Sequence, residues 1–498
     1  MQIPTVKLYN YSDTVLLNEV YRLFFDQNAR AYEAEDCFLV SSVDMPWQEI
    51  DLLAESTFYQ VQSYLELNGE KLYPQSAEVS GKLLRRELKR QAYAIFSAYT
   101  GIAFPWGSLT GIRPSLVAAR ELQRTAGDWQ EAKDYLHKHW YVAEDKAELA
   151  LEVAEAEAES LARLPENNPL LYLGIPFCNS RCAYCSFICV DAEKQEQNLA
   201  PYLDAVIKEL EAVCDFLRSQ RLDLSAFYMG GGTPTSPSED LFNPLISKIA
   251  QTLPMLADAE MTVEAGRPDS ISKSKLQAIK AVMPEARICI NPQTMHNLTL
   301  ARIGRDHSVE EALHCFTLAR ELGYRHINMD LILGLPGESK NMFADSLNQL
   351  LDLAPESITV HTLSLKRGAY FKLRSAEDFQ SIRFPEQEMA KAMASAIALL
   401  KRHGYAPYYM YRQKNVRAGL ENTGFAKAGH ACLYNVGMMS DRRTVIGVGS
   451  GASSKLVSGE RVERSINPKD IRDYTNRIDE IIARKIAFLT DFFVSGNQ

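Results

Sequence analysis

Between residues 169 and 365 the chain alternates short apolar runs with amphipathic helical stretches, and few folds can absorb that pattern. The apolar runs cover 170–175, 226–229, 261–264, 287–290, 326–333 and 358–363. Helical periodicity marks the stretches between them, including 201–219, 238–251, 273–281, 309–322 and 340–351. Strands each separated by a helix run parallel, joined by right-handed crossovers. Six of them predict an α/β protein built on a barrel or partial barrel. In such a barrel the working residues gather where strands end.

The strand ends repay inspection. The first opens into residues 171–190, LYLGIPFCNSRCAYCSFICV, with Cys178, Cys182 and Cys185 spaced C-x3-C-x2-C. The second meets 230–235, GGGTPT. The third ends at Glu264 and runs into Gly266, Arg267, Pro268 and Asp269. The fourth ends at Asn291-Pro292-Gln293-Thr294. The fifth carries Asp330 and leads into 334–338, GLPGE; the sixth carries His361, Thr362 and Leu363. Polar residues and glycines at successive strand ends are hard to explain by stability alone. Three thiols this close in sequence reach one metal centre without long-range folding. A closed site normally takes four ligands, so three leave a coordination position open. Zinc would need a fourth, for which Cys189 is the nearby candidate; off-register, it also reads as a buried or incidental thiol. Three free thiols are the plain alternative.

With Tyr184 before its third cysteine, the triplet resembles the signature of the radical S-adenosylmethionine (SAM) enzymes. The usual fold of that family is a partial (β/α)6 TIM-like barrel, in agreement with the strand pattern. The resemblance implies a 4Fe-4S cluster on Cys178, Cys182 and Cys185, with SAM on the open iron and Tyr184 beside them. One-electron reduction then cleaves SAM to a 5′-deoxyadenosyl radical. It implies further SAM contacts from Gly231, Gly232 and Thr233, from Glu264, Gln293, Arg305 and Asp330, and from Tyr172 and Leu363. Each has a plainer reading. The glycines suit a tight turn. Glu264 could pair with Arg267, and Gln293, Arg305 and Asp330 could be rim polar residues. Tyr172 could be core.

Within that family, YLGIPFC-x3-C-x-YC, GGGTPT and DLI-x-GLPGE resemble the oxygen-independent coproporphyrinogen III oxidase group, over 169–460. VEAGRPD, INPQTM, VHTLSLKRG and GYAPYYMYRQKN are similar to its HemZ-type branch. The resemblance implies decarboxylation of coproporphyrinogen III to protoporphyrinogen IX in heme biosynthesis. Its partners would be a tetrapyrrole and an electron donor such as a flavodoxin or ferredoxin. One departure matters. The characterised oxidases carry C-x-C at the third cysteine, whereas Cys185 is followed by Ser186 and Phe187. A heme chaperone is the alternative, as is a radical enzyme that methylates or opens another tetrapyrrole.

The flanks divide the chain into 1–165, an N-terminal α/β domain; 166–370, the barrel; and 371–498, a smaller α+β region near the substrate. Pro165, Asn167, Asn168 and Pro169 mark the first boundary. In the N-terminal part, 5–9 and 37–43 suit strands. The helical stretch 81–99 carries Lys82, Arg85, Arg86, Lys89 and Arg90, which suit a solvated face or a polyanion. The turn-rich 105–115 could bind something or join two helices. In the C-terminal part, Tyr408, Tyr409 and Arg412 in YAPYYMYR could hold the face and propionate edge of a tetrapyrrole, or form a domain-interface strand with snorkelling basic residues. Lys414 follows. The repeat at 447–452, GVGSGA, reads as a loop near the site. Nine cysteines without a regular framework suggest reduced thiols in the cytoplasm, and a net charge of -9 argues against nucleic acid. No apolar run approaches the roughly 20 residues of a membrane span.

Overall fold

The six apolar runs form six parallel strands, hydrogen-bonded in the order in which the chain makes them. They are β5 (Leu170–Ile175), β8 (Leu224–Gly231), β9 (Met255–Gly266), β10 (Arg287–Gln293), β11 (Ile327–Leu333) and β12 (Ser357–Thr362). This is a computed structural model, and it describes residues 2–10, 14–25, 33–111, 113–185, 189–364, 386–413, 419–459 and 461–495. Helices such as Glu196–Ser219 and Val309–Glu321 carry the crossovers. Ser308 starts the second of these with a capping box, its hydroxyl accepting from the Glu311 amide while Glu311 accepts from the Ser308 amide.

The C-terminal part extends this sheet. The hairpin-like pair β13 (Ala406–Tyr411) and β14 (Asn422–Ala426) adds antiparallel to β12. At the other end β15 (Val445–Val448) lies parallel to β5, followed by antiparallel β16 (Ser453–Ser458) and β17 (Arg461–Ile466). The result is an eleven-stranded sheet in which β13 and β17, its two ends, are not paired with each other among the described residues. The expected boundary at 370 lies outside the described residues.

By compactness the chain divides into 1–151 with 418–420, and 152–417 with 421–498. The division falls inside the helix Glu144–Ala162, upstream of the Pro/Asn break at 165. In the first unit, β1 (Ile3–Tyr9) is parallel to β2 (Glu33–Val43), and β3 (Phe58–Leu67) and β4 (Glu70–Ser80) complete a four-stranded sheet. Helices Thr14–Phe24 and Gly81–Thr100 pack on it through Leu17, Val20, Leu84, Leu88 and Phe96. The basic positions of the second helix find partners within the unit. Lys82 pairs with Glu55, Lys89 with Glu19 and Arg90 with Glu87, and Arg86 donates to Tyr135. That accords with a solvated, internally neutralised face.

Candidate active site

Inward-facing residues on parallel strands recur every second position. Here the inward series is polar: Thr262 and Glu264 on β9; Arg287, Cys289, Asn291 and Gln293 on β10; Asn328 and Asp330 on β11; Thr359 and His361 on β12. A side-chain set of this kind cannot close into the packed apolar layers of an ordinary parallel barrel. It lines instead a cavity of about 470 Å³ that follows β10 from Arg287 to Gln293. At about 3.3 Å per residue that is roughly 20 Å of barrel height.

The cysteine loop closes the end of the cavity where the strands terminate. Cys178, Cys182, Cys185 and Cys189 all line it. The short parallel ribbon β6 (Phe177–Cys178) and β7 (Val190–Asp191) ties the two ends of the loop together, with the Val190 amide donating to Pro176 O at 2.8 Å. Gly232 sits against this ribbon. A Cβ there would stand 2.6 Å from Phe177 O and 2.9 Å from Cys178 Sγ. Gly231 before it has φ +117°, a backbone that side-chain-bearing residues avoid. Thr233 donates its amide to Phe177 O at 2.7 Å and its hydroxyl to Cys178 Sγ at 3.4 Å. The triple glycine therefore does the turn's work and also admits the cysteine loop.

Two arginines face Cys182, each with a guanidinium nitrogen 3.7 Å from Sγ. Arg267 is held by Asp269 at 2.9 Å, and Arg305 by Tyr184 Oη at 3.2 Å and Asn291 O at 2.5 Å. Both guanidinium groups can donate to the sulfur, whose thiolate is the form that ligates metal. Three buried polar atoms around the same cavity lack a hydrogen-bond partner: Arg305 Nε, Asn291 Oδ1 and Gln293 Oε1. Gln293 also holds φ +70°, a strained conformation of the sort that concentrates at binding sites. Among the described residues no three Cys, His, Asp or Glu side chains stand close enough to share a single metal ion. A cubane gives each thiolate its own iron, so its ligands stand further apart. The thiols, the cations and the orphaned polar atoms fit a cluster with a polar cosubstrate.

Below the loop the chemistry changes. Tyr228 donates to Glu264 in a short hydrogen bond and stacks on Tyr434 at 4.5 Å, with Tyr172 stacked 6.3 Å from both. Gly230 makes room for these rings, since a Cβ there would touch Tyr228 and Tyr172 at 3.0 and 3.3 Å. Burial pushes the Glu264 carboxyl up to about 7, against the Tyr228 hydrogen bond, and Asp330 adds to the rise. Asp330 accepts from Asn328 at 2.7 Å and lies 3.5 Å from His361, whose other nitrogen is 3.5 Å from Tyr411 Oη. At the far end Glu260 pairs with Arg287 at 2.9 Å. It also accepts the amides of Leu433 and Tyr434, which open the helix Leu433–Met439.

Each cofactor-side residue expected from the sequence lines this one cavity: Tyr172, Tyr184, Gly231, Gly232, Thr233, Glu264, Gln293, Arg305, Asp330 and Leu363, with the three cysteines. Tyr408 and Tyr409 line it too, because a register shift between Pro407 and Tyr409 turns consecutive residues the same way. Arg412 is buried but lies outside the lining. Burial pushes its guanidinium down to about 10, opposed by Glu421. Lys414 lies outside the described residues. Sequence reasoning missed Tyr228, Asn328 and Cys289 as wall residues. The signal was present in the every-second-residue polar series, once the strands were placed.

The model of the radical SAM superfamily matches residues 172–350. The chain is 36% identical over 407 residues to the oxygen-independent coproporphyrinogen-III oxidase-like protein HemZ of Bacillus subtilis, covering 80% of each chain. It is 30% identical over 312 residues to the heme chaperone HemW of the same organism, covering 62% of this chain and 76% of that one. Among solved structures, coproporphyrinogen III oxidase HemN of Escherichia coli, a radical SAM enzyme, superposes with TM-score 0.51 at 24% identity, over 66% of this chain and 72% of that one; the likeness shows a shared fold. The chain belongs to the radical SAM superfamily, in the HemZ-like group of oxygen-independent coproporphyrinogen-III oxidase relatives, and its cofactors are a 4Fe-4S cluster and S-adenosylmethionine.

Proposed function

We propose that this protein oxidises coproporphyrinogen III to protoporphyrinogen IX without oxygen. The observation that carries the reading is the hollow barrel, whose cavity runs from the cysteine loop to a wall of Tyr408, Tyr409 and Tyr411 with Met438 and Met439. A tetrapyrrole is a flat, largely apolar disc, and aromatic and thioether surface suits its face. Cys178, Cys182 and Cys185 hold the cluster. Once bound, the cofactors would supply radical chemistry that removes a hydrogen atom from a propionate side chain of the substrate. Each of two propionates then loses CO2 and one further electron to an external acceptor, leaving a vinyl group.

The protein binds, orients and keeps water out. Arg305, with its unpaired Nε, receives the SAM carboxylate, Glu264 accepts from its amino group and Asp330 from its ribose. Tyr228 and Tyr434 shield the space beneath. A flavodoxin or ferredoxin supplies the reducing electron. The experiment is an anaerobic incubation of reduced, cluster-loaded protein with SAM and coproporphyrinogen III. Protoporphyrinogen IX with released CO2 is the expected outcome.

A second reading is heme delivery. Phe187, two positions after Cys185, stands where characterised oxidases carry the second cysteine of C-x-C, and the HemW relative is a chaperone. Tight heme binding with no decarboxylation would favour it over the oxidase. A methylated or ring-opened product would point to other chemistry on the same scaffold.

Glu264 gives the site a pH dependence. Only its carboxylate offers the SAM amino group a charged acceptor, and burial holds the carboxyl up to about 7. SAM affinity therefore weakens as pH falls below this value, approaching about tenfold per pH unit. Equilibrium dialysis between about pH 6 and 8 measures it. Glu264→Gln flattens the profile; an unchanged slope in that variant would remove Glu264 from the assignment.

A further inference from the structure

Four thiols line the mouth of the cavity, and the cluster needs three. Cys189 is the fourth. It lines the same cavity as Cys178, Cys182 and Cys185. Its position is set by backbone rather than by chance packing. The chain returns from the loop as β7, whose Val190 pairs with Phe177 and whose Asp191 pairs with Cys178. The Ala192 amide then donates to Cys178 O at 2.8 Å. This ribbon holds the residue before Val190 beside the first cluster ligand. Around the same cavity, Gln293 Oε1, Asn291 Oδ1 and Arg305 Nε are buried without partners, so a polar ligand is expected beside the thiols.

We propose that Cys189 is an exchangeable fourth ligand, its thiolate closing the open iron of the cluster until SAM displaces it. The inference rests on the cluster assignment and goes beyond it. When SAM arrives, the Fe–Sγ bond of Cys189 breaks and the amino nitrogen and carboxylate oxygen of SAM bind the iron. The SAM ammonium group gives up a proton as its nitrogen takes the iron, the released thiolate takes one up, and no electron moves. The device protects the cluster from loss of its unique iron while the cosubstrate is absent.

The test uses full-length, anaerobically reconstituted protein and its Cys189→Ala variant. Without SAM, the reduced variant gives an electron paramagnetic resonance spectrum different from that of the wild type; with SAM the two coincide. The variant binds SAM about tenfold more tightly, having no thiolate to displace, and loses iron faster to a chelator when SAM is withheld. Identical SAM-free spectra and equal affinities would overturn the proposal.

Should the variant assemble no cluster, the wild type decides by alkylation with iodoacetamide and peptide mass analysis, its cluster held oxidised. Cys189 resists modification without SAM and is modified with it. Equal labelling in both states, or protection in both, would overturn the exchange. Wild-type protein that takes up zinc, or no iron and sulfide at all, would overturn the cluster assignment itself, a result distinct from either.

Discussion

Cys182→Ala abolishes the iron-sulfur absorption of the anaerobically reconstituted protein and, with it, all formation of 5′-deoxyadenosine. Cys182 has the middle position of the triplet, is 8% exposed, and stands 3.7 Å from a guanidinium nitrogen of each of Arg267 and Arg305. Its replacement removes one of three thiolates from a cluster that has no protein ligand to spare on those three irons. It also takes from Arg305 the sulfur it faces, while Arg267 keeps Asp269, which disfavours any rearranged assembly. Cys189 does not rescue the site, because the β6–β7 ribbon holds it at Cys178, on the other side of the loop. The far-ultraviolet circular dichroism should match that of the wild type, since the eleven-stranded sheet makes no use of the thiol. Iron and sulfide content with the rate of SAM cleavage measures the effect. Full cleavage by this variant would dismiss the cysteine loop as the seat of the chemistry.

The legibility of this molecule follows the range of its interactions. The six parallel strands were readable because each is a buried apolar run between helices with their own period, a local pattern. The cofactor-side residues were readable because they lie at the strand ends, within a few residues of Gly or Pro turns. The hairpin of β3 and β4 escaped the reading, although Asn68-Gly69 between them is a strong short-range turn signal; both have positive φ. The addition of β13 and β14 to β12, and of β15 to β5, was not legible. Strand pairing across some 60 or 270 residues leaves no mark in either segment alone. Tyr228 was hidden for a related reason. Its role depends on Glu264 of the next strand and Tyr434 of a distant helix. Arg412 shows the converse. Its neighbourhood of tyrosines invited a role at the cavity, but it follows the end of β13 and lies outside the lining to which Tyr409 and Tyr411 belong.

The least legible residue with a large expected effect is Glu209, which sits mid-helix in Glu196–Ser219 and is fully buried. A carboxylate there is tolerated only because every acceptor position is used. Oε2 accepts from the Gly449 amide at 2.8 Å and Tyr474 Oη at 2.6 Å; Oε1 accepts from Asn467 Nδ2 at 2.8 Å and pairs with Lys485 Nζ at 2.6 Å. Through Gly449 it holds the 447–452 loop, and Tyr202 of the same helix completes the tie, donating to Gly174 O at 2.7 Å and accepting from the Ser450 amide at 3.0 Å. The loop so held borders Tyr172, Gly174 and Gly231. Glu209→Ala leaves Lys485 as a buried cation without its counter-charge and takes the acceptor from the Gly449 amide and the Tyr474 hydroxyl, while Asn467 keeps Gly449 O, and costs about 3–5 kcal/mol of stability. Glu209→Gln keeps an acceptor for part of the set and costs less. Urea titration followed by circular dichroism checks the order, and SAM affinity should fall with the alanine variant while the protein remains folded. An alanine variant within about 1 kcal/mol of the wild type would mean that the network packs without being needed, and that the loop is held by its own turns.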